Sequence, residues 1–198
     1  GGSLMLSRFA LGFVAHQGAG IIARYTESHE KYDMARAEAD RMGKPMLVVG
    51  GPAGSANAYQ QNWLQPLVKA KAYFQVKAHG CGDVCVDIDP KSCEGCNYVY
   101  ADIMDLPFSN KEFGAAYCSH VLEHMPDADG CQLAWSELHR VADVVFVCVP
   151  PKTSLFAWMV PDHHLWVRQT GEGVLEVEER DTGDHYLVDL DGPPILYE

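Results

Sequence analysis

Short, mainly apolar runs punctuate the chain between positions 46 and 150. They are MLVV at 46–49, DVCVDI at 83–88, NYVYADI at 97–103, GAAYCS at 114–119 and VVFVCVP at 144–150. Continuously apolar runs of this length suit strands buried on both faces, as in a parallel sheet. Between them lie stretches with helical spacing. In CQLAWSELHRV, Cys131, Trp135, Leu138 and Ala142 share one face. A helix is also expected over 55–65, with Pro66 disturbing its end. Nearer the start, Tyr32, Ala35, Ala39 and Met42 place a helix over about 28–42. Gly43 is a left-handed stop for it and Pro45 blocks continuation. The earlier run at 4–24 is apolar but broken by Arg8, His16, Gln17 and Arg24. It is too polar for a membrane span, so a helix covering the domain is expected, with a membrane-surface helix as the alternative.

After Pro151 the pattern changes from runs to alternation. VLEVEER and HYLVDL, separated by DTGD, alternate as a hairpin with one wet face. Strands alternating with helices, closed by such a hairpin, define one α/β domain over 1–198. Its parts are a helical cap (1–43), a core (44–150), and a lid segment with the terminal hairpin (151–198). In such sheets ligands bind beyond the carboxyl ends of the strands.

Those ends carry distinctive residues. The first strand runs into Gly50-Gly51-Pro52-Ala53-Gly54. Glycines there allow a tight turn and close approach to a ligand. Asp87 ends the second strand, followed by Ile88; an acid there can accept from both hydroxyls of a ribose. Asp102 follows the third strand, where it could read an adenine edge between Ile103 and Met104. Ser119, His120, Glu123 and His124 cluster past the fourth.

The segment YADIMDLPF…SHVLEHMPD…ELHRV closely resembles the core of the class I S-adenosylmethionine-dependent methyltransferases. The branch it is most similar to acts on quinones, lipids and other small molecules. The resemblance covers Ala101 to Val141 and, with the upstream strands, most of 44–150. It implies a Rossmann-like fold with a mostly parallel seven-stranded sheet, a C-terminal antiparallel hairpin and helices on both faces. It also implies S-adenosylmethionine as cofactor and a small-molecule or lipid methyl acceptor. Position by position, Gly50, Gly51 and Gly54 correspond to the loop under the methionine moiety. Asp87 and Ile88 fall at the ribose, Asp102, Ile103 and Met104 at the adenine, and Ser119 and His120 at the sulfonium. His120 and His124 are the catalytic candidates, with His163 and His164 as further possible bases. Two departures stand out: Val48 replaces the acid two residues before the loop, and Pro52 its middle glycine. Thirty-three positions separate Gly54 from Asp87, against about 20 in a typical dinucleotide fingerprint, so extra structure is expected near 66–79. A catalytically inactive relative serving as a binding or scaffold module is the alternative. A dinucleotide-binding domain fits less well, since the loop lacks Gly-x-Gly-x-x-Gly spacing.

Charge narrows the partners. The formal net charge is −12, which repels phosphate backbones, so no nucleic-acid partner is expected. Nine acidic residues against Arg180 alone crowd positions 171–198, either as a solvated face or as a wall favouring cationic substrates. Phe156, Trp158, Met159 and Trp166 form an aromatic stretch that is either a lid over an apolar substrate or a cover for the sheet.

Seven cysteines, an odd number, and no evident cleavable leader suggest a reducing, cytoplasmic setting with mostly buried thiols. The opening Gly-Gly-Ser reads as an appended scar. Cys81, Cys85, Cys93 and Cys96 invite a zinc reading. The strand between Cys81 and Cys93 spans about 16 Å at about 3.3 Å per residue, so one tetrahedral ion should not gather all four. Cys85 is expected to be packed in its strand. Cys93 and Cys96 are left as a labile disulfide or half a metal site, and no metal ligands are assigned.

Overall fold

A computed structural model of the chain describes residues 2–52, 79–171 and 173–197. Gly54, the helix expected over 55–65 and most of the extra structure expected near 66–79 lie outside the described residues.

Five strands form one parallel sheet: β1 (Met46–Val49), β2 (Val84–Asp87), β3 (Tyr98–Tyr100), β4 (Phe113–Ser119) and β5 (Ala142–Cys148). Their order is β3-β2-β1-β4-β5, with Val48 opposite Cys85 on one side and Tyr117 on the other. Order reverses at β1, so β1 and β4 flank the switch point where α/β sheets bind ligands. The apolar runs are continuous because both faces are covered. Met46, Val48, Cys85, Ala115 and Tyr117 pack with Ala35 and Ala39 of helix α1 (Gly2–Met42). Leu47, Val49, Val86, Ala116 and Cys118 pack with Trp135 and Leu138 of helix α2 (Ala128–Val141).

α1 is continuous, where the sequence suggested two helices. No glycine or proline falls at 25–27 to end the first, so nothing interrupts the hydrogen-bond ladder. Gly43, at φ +64°, ends it as expected, with Lys44 N–H donating to Ala39 O. Asp127 caps α2, its carboxylate accepting from Gly130 N–H.

The expected hairpin is present as β7 (Val174–Glu179) and β8 (His185–Val188). It does not extend the parallel sheet. With β6 (Leu165–Gly171) and β9 (Ile195–Tyr197) it forms a separate antiparallel sheet, order β6-β7-β8-β9. The parallel sheet therefore has five strands among the described residues, not seven. The alternation explains this: a hairpin with one dry face needs one covering layer. Leu175, Val177 and Val188 find it in the α2 cluster, and Trp135 Nε1–H donates to Gly173 O at 2.9 Å. A short helix, α3 (Leu155–Trp158), precedes β6.

The cysteines correct the sequence reading. Cys118, Cys131 and Cys148 are buried thiols, but Cys81 bonds Cys96 and Cys85 bonds Cys93. Cys85 is packed in its strand as expected, fully buried but as half of a disulfide, and a Cys93–Cys96 bond is not found. The chain turns back along β2 after Asp87. Cys93 thus returns beside Cys85 and Cys96 beside Cys81, so the length of β2 does not keep the partners apart.

Candidate functional site

The strand ends converge beyond the carboxyl edge of the parallel sheet. Gly50, at φ +84°, turns the chain out of β1, and its N–H donates to Val86 O. A Cβ there would fall 2.3 Å from Ser119 O, and one on Gly51 would fall 2.0 Å from Ser92 O. No other residue fits either position without moving backbone. Pro52 follows in a turn. Val48 is fully buried against α1, so the side chain where the resemblance expects an acid plays a packing part.

Asp87 holds this loop. Its Oδ2 accepts from Gly51 N–H at 3.2 Å and its Oδ1 from Asp89 N–H at 2.8 Å. Tyr98 Oη–H donates to the Asp87 carbonyl. Each carboxylate oxygen keeps a second lone pair. Ile88 is 64% exposed. Asp102 is exposed, and its Oδ1 accepts from Met104 N–H at 2.9 Å. Ile103 is buried in the core, with Met104 packed at its edge.

Past β4, Ser119 is buried and His120 adopts φ +55°. His120 N–H donates to Cys148 O, which fixes the turn against β5. Its Nδ1 lies 3.1 Å from Glu123 Oε1, with the ring half exposed. Burial opposes charging of this ring, but Cys148 and the Glu123 carboxylate outweigh it and raise its pKa above the ordinary imidazole value. The same contact keeps the Glu123 carboxyl below its ordinary value despite complete burial.

Glu123 lies in a 3-10 turn, Leu122–His124. His163 comes against it from the segment before β6, its Nε2 4.0 Å from Glu123 Oε1. Burial lowers the His163 pKa to about 4, so the ring is neutral at neutral pH. His124 and His163 meet edge to face, centroids 4.8 Å apart. His164 instead points to solvent, while its N–H donates to Glu123 O.

Arg180 is the residue the sequence reading missed. Its guanidinium donates to the carbonyls of Trp158, Val160 and His163. It also lies 5.2 and 5.8 Å from the Trp158 and Trp166 ring centroids. It therefore clamps the aromatic segment to the second sheet. Its isolation among nine acids was the available signal. Several of those acids are also engaged: Glu178 pairs Lys152, Glu176 pairs Arg168 and Glu179 accepts from Ala128 N–H.

Fold and site define a doubly wound α/β protein with a ligand edge at its switch point, built from a glycine turn, two acids and a histidine. Residues 70–144 match the family described as methyltransferase domain. That match takes in 75 of the 198 residues, so the chain is similar to methyltransferases over part of its core. It is similar to cycloartenol-C-24-methyltransferase 1 of Oryza sativa subsp. japonica, 33% identical over 70 residues, which are 35% of this chain and 18% of the relative. It is also similar to the cycloartenol-C-24-methyltransferase of Arabidopsis thaliana, 44% identical over 46 residues, 23% of this chain and 13% of the relative. The chain thus spans less than a fifth of the length of these curated relatives. Among solved structures it resembles the S-adenosylmethionine-bound amino pentose methyltransferase of Micromonospora echinaspora, at 13% identity and a TM-score of 0.38, covering 88% of this chain and 73% of that one. Among the described residues, no helix is long and apolar enough to cross a membrane.

Proposed function

We propose that the chain transfers a methyl group from S-adenosylmethionine to a small-molecule or lipid acceptor. The observation that carries this reading is the convergence of the Gly50–Gly51 turn, Asp87 and the Ser119–His120 turn around one switch point. The residues fit the cofactor in kind. Asp87 retains lone pairs for a ribose diol, Gly50 and Gly51 bring bare backbone to the methionine end, and Asp102 stands exposed for the adenine edge. Gly54 belongs to the same proposed set, as do Ile88, Ile103 and Met104. The cofactor supplies an electrophilic methyl carbon. The chain's task is to hold the acceptor in line with it, about 3–3.5 Å away.

Where the acceptor has a proton to lose, His120 is the candidate base, acting in the alkaline range where its ring, with a pKa raised to about 10, is neutral. Glu123 fixes the ring through Nδ1 and raises its basicity. The Trp158–Trp166 segment, clamped by Arg180, offers apolar surface suited to a lipid or small aromatic acceptor.

One observation favours a second reading, a non-catalytic module of the same fold. Val48 contributes no carboxylate to the loop and Pro52 no N–H. Calorimetry and thermal shift with S-adenosylmethionine and S-adenosylhomocysteine decide between the two. The enzyme reading expects saturable binding that raises Tm. Folded protein that neither ligand stabilises at millimolar concentration would instead support the module.

A further inference from the structure

Three side chains from two distant segments meet beside the strand-end site. Glu123 and His124 come from the 3-10 turn after β4, and His163 from the stretch before β6. One carboxylate oxygen and one nitrogen from each ring lie within 4.8 Å of one another.

Hydrogen bonding within the chain does not account for this cluster. Glu123 is 1% exposed, and its Oε2 is buried without a partner. His163 is 8% exposed, and its Nδ1 is likewise unpartnered. The 4.0 Å from His163 Nε2 to Glu123 Oε1 is too long for a hydrogen bond. His120 reaches only Oε1. A buried carboxylate oxygen facing no donor is costly.

The surroundings prepare the rings as ligands. His124 Nδ1 faces the Asp162 carbonyl at 2.9 Å. A carbonyl only accepts, so Nδ1 carries the proton and Nε2 offers a lone pair; this is how ligating histidines are commonly oriented. Both segments are fixed: His164 N–H donates to Glu123 O, and Arg180 binds the carbonyls of Val160 and His163.

We infer that Glu123, His124 and His163 form a binding site for a divalent first-row transition ion of the zinc type. Two imidazoles and one carboxylate suit such ions, whereas magnesium and calcium prefer oxygen alone. Bonds of about 2.0–2.2 Å would require the three atoms to close by roughly an ångström, within reach of side-chain rotation. A fourth position is left for water or an acceptor oxygen. The site stands independently of the methyl-transfer reading.

The test uses the whole chain, stripped with chelator, dialysed, and kept free of cofactor and acceptor. Zn²⁺ binding is measured by calorimetry, and Co²⁺ binding by visible absorption, whose bands separate nitrogen–oxygen ligation from thiolate. The expected result is one ion per chain with a nitrogen–oxygen spectrum. His124→Ala and Glu123→Gln should each weaken binding at least about tenfold, and His164→Ala should leave it unchanged. His124 is partly exposed, so its alanine variant should fold, as circular dichroism would check. Absence of stoichiometric binding at millimolar ion, a thiolate spectrum, or full affinity in folded His124→Ala would overturn the proposal. Each leaves the methyl-transfer reading to its own binding test.

Discussion

His120 holds a left-handed backbone conformation, φ +55°, that only glycine adopts without cost. The surrounding hydrogen bonds maintain it: Cys148 O takes its N–H and Glu123 takes its Nδ1. Strain kept at a strand end beside a switch point suits a residue whose position matters more than its stability. With an acceptor that must lose a proton, and near pH 10 where the ring becomes neutral, His120→Ala should lower kcat by about 10²–10⁴. Its dissociation constant for S-adenosylmethionine should stay within about threefold, because Asp87 and the glycine turn are untouched. Steady-state kinetics alongside calorimetry would separate the two. Full turnover in the variant would remove His120 from the chemistry.

At the scale of elements, the segment after β2 departs most from what the sequence conveys. Alternation and buried runs indicate β1 to β5, α2 and the β7–β8 hairpin, because burial on one or two faces is written into residue order. A loop's return path is not. The pairing of Cys85 with Cys93 depends on the chain doubling back, which no local pattern encodes. Likewise β6 and β9 gain their identity from the hairpin they flank, and β9 leaves Ile195 and Leu196 exposed. The site divides in the same way. Asp87, Gly50 and His120 are legible because strand ends are, whereas the meeting of His163 with Glu123 and the reach of Arg180 are tertiary. The two disulfides close spans of 15 and 8 residues. A bridge over 15 residues contributes about 3 kcal/mol by restricting the unfolded chain. Urea unfolding with and without reductant should show a loss of about that size or more. Equal midpoints, with free thiols titrated to confirm reduction, would show that these bridges do not support the fold. Ser92, beside Cys93, backs directly onto Gly51, so reduction should also loosen the glycine turn.

Across the whole molecule, two effects of acidification oppose each other. The chain carries a net charge of −12, and protonation relieves its self-repulsion, which favours the folded state. Against this stand buried neutral imidazoles. His139, on α2, packs edge-on to Trp135 with its Nε2 buried and unpartnered. Burial, aided by nearby Lys111, lowers its pKa to about 4. Burial also lowers His79, which packs against Tyr32 and Tyr117. The unfolded chain takes up these protons near pH 6.5, before the folded chain does. Their contribution is therefore complete above about pH 6.5 and is lost as pH falls toward 4. For His139 it is on the order of 2–3 kcal/mol. Surface repulsion is screened beyond about 8 Å at physiological salt, whereas a buried ring is screened far less. His79, His139 and His163, all held neutral by burial, should therefore outweigh both the surface charge and His120, whose raised pKa favours the folded state on acidification, and the urea midpoint should fall between pH 7.5 and pH 5 at 0.15 M salt. His139→Leu, which removes the titrating group while keeping an apolar side chain against Trp135, should flatten that slope. A midpoint that rises on acidification, or a slope unchanged in the variant, would mean that surface charge sets the acid response.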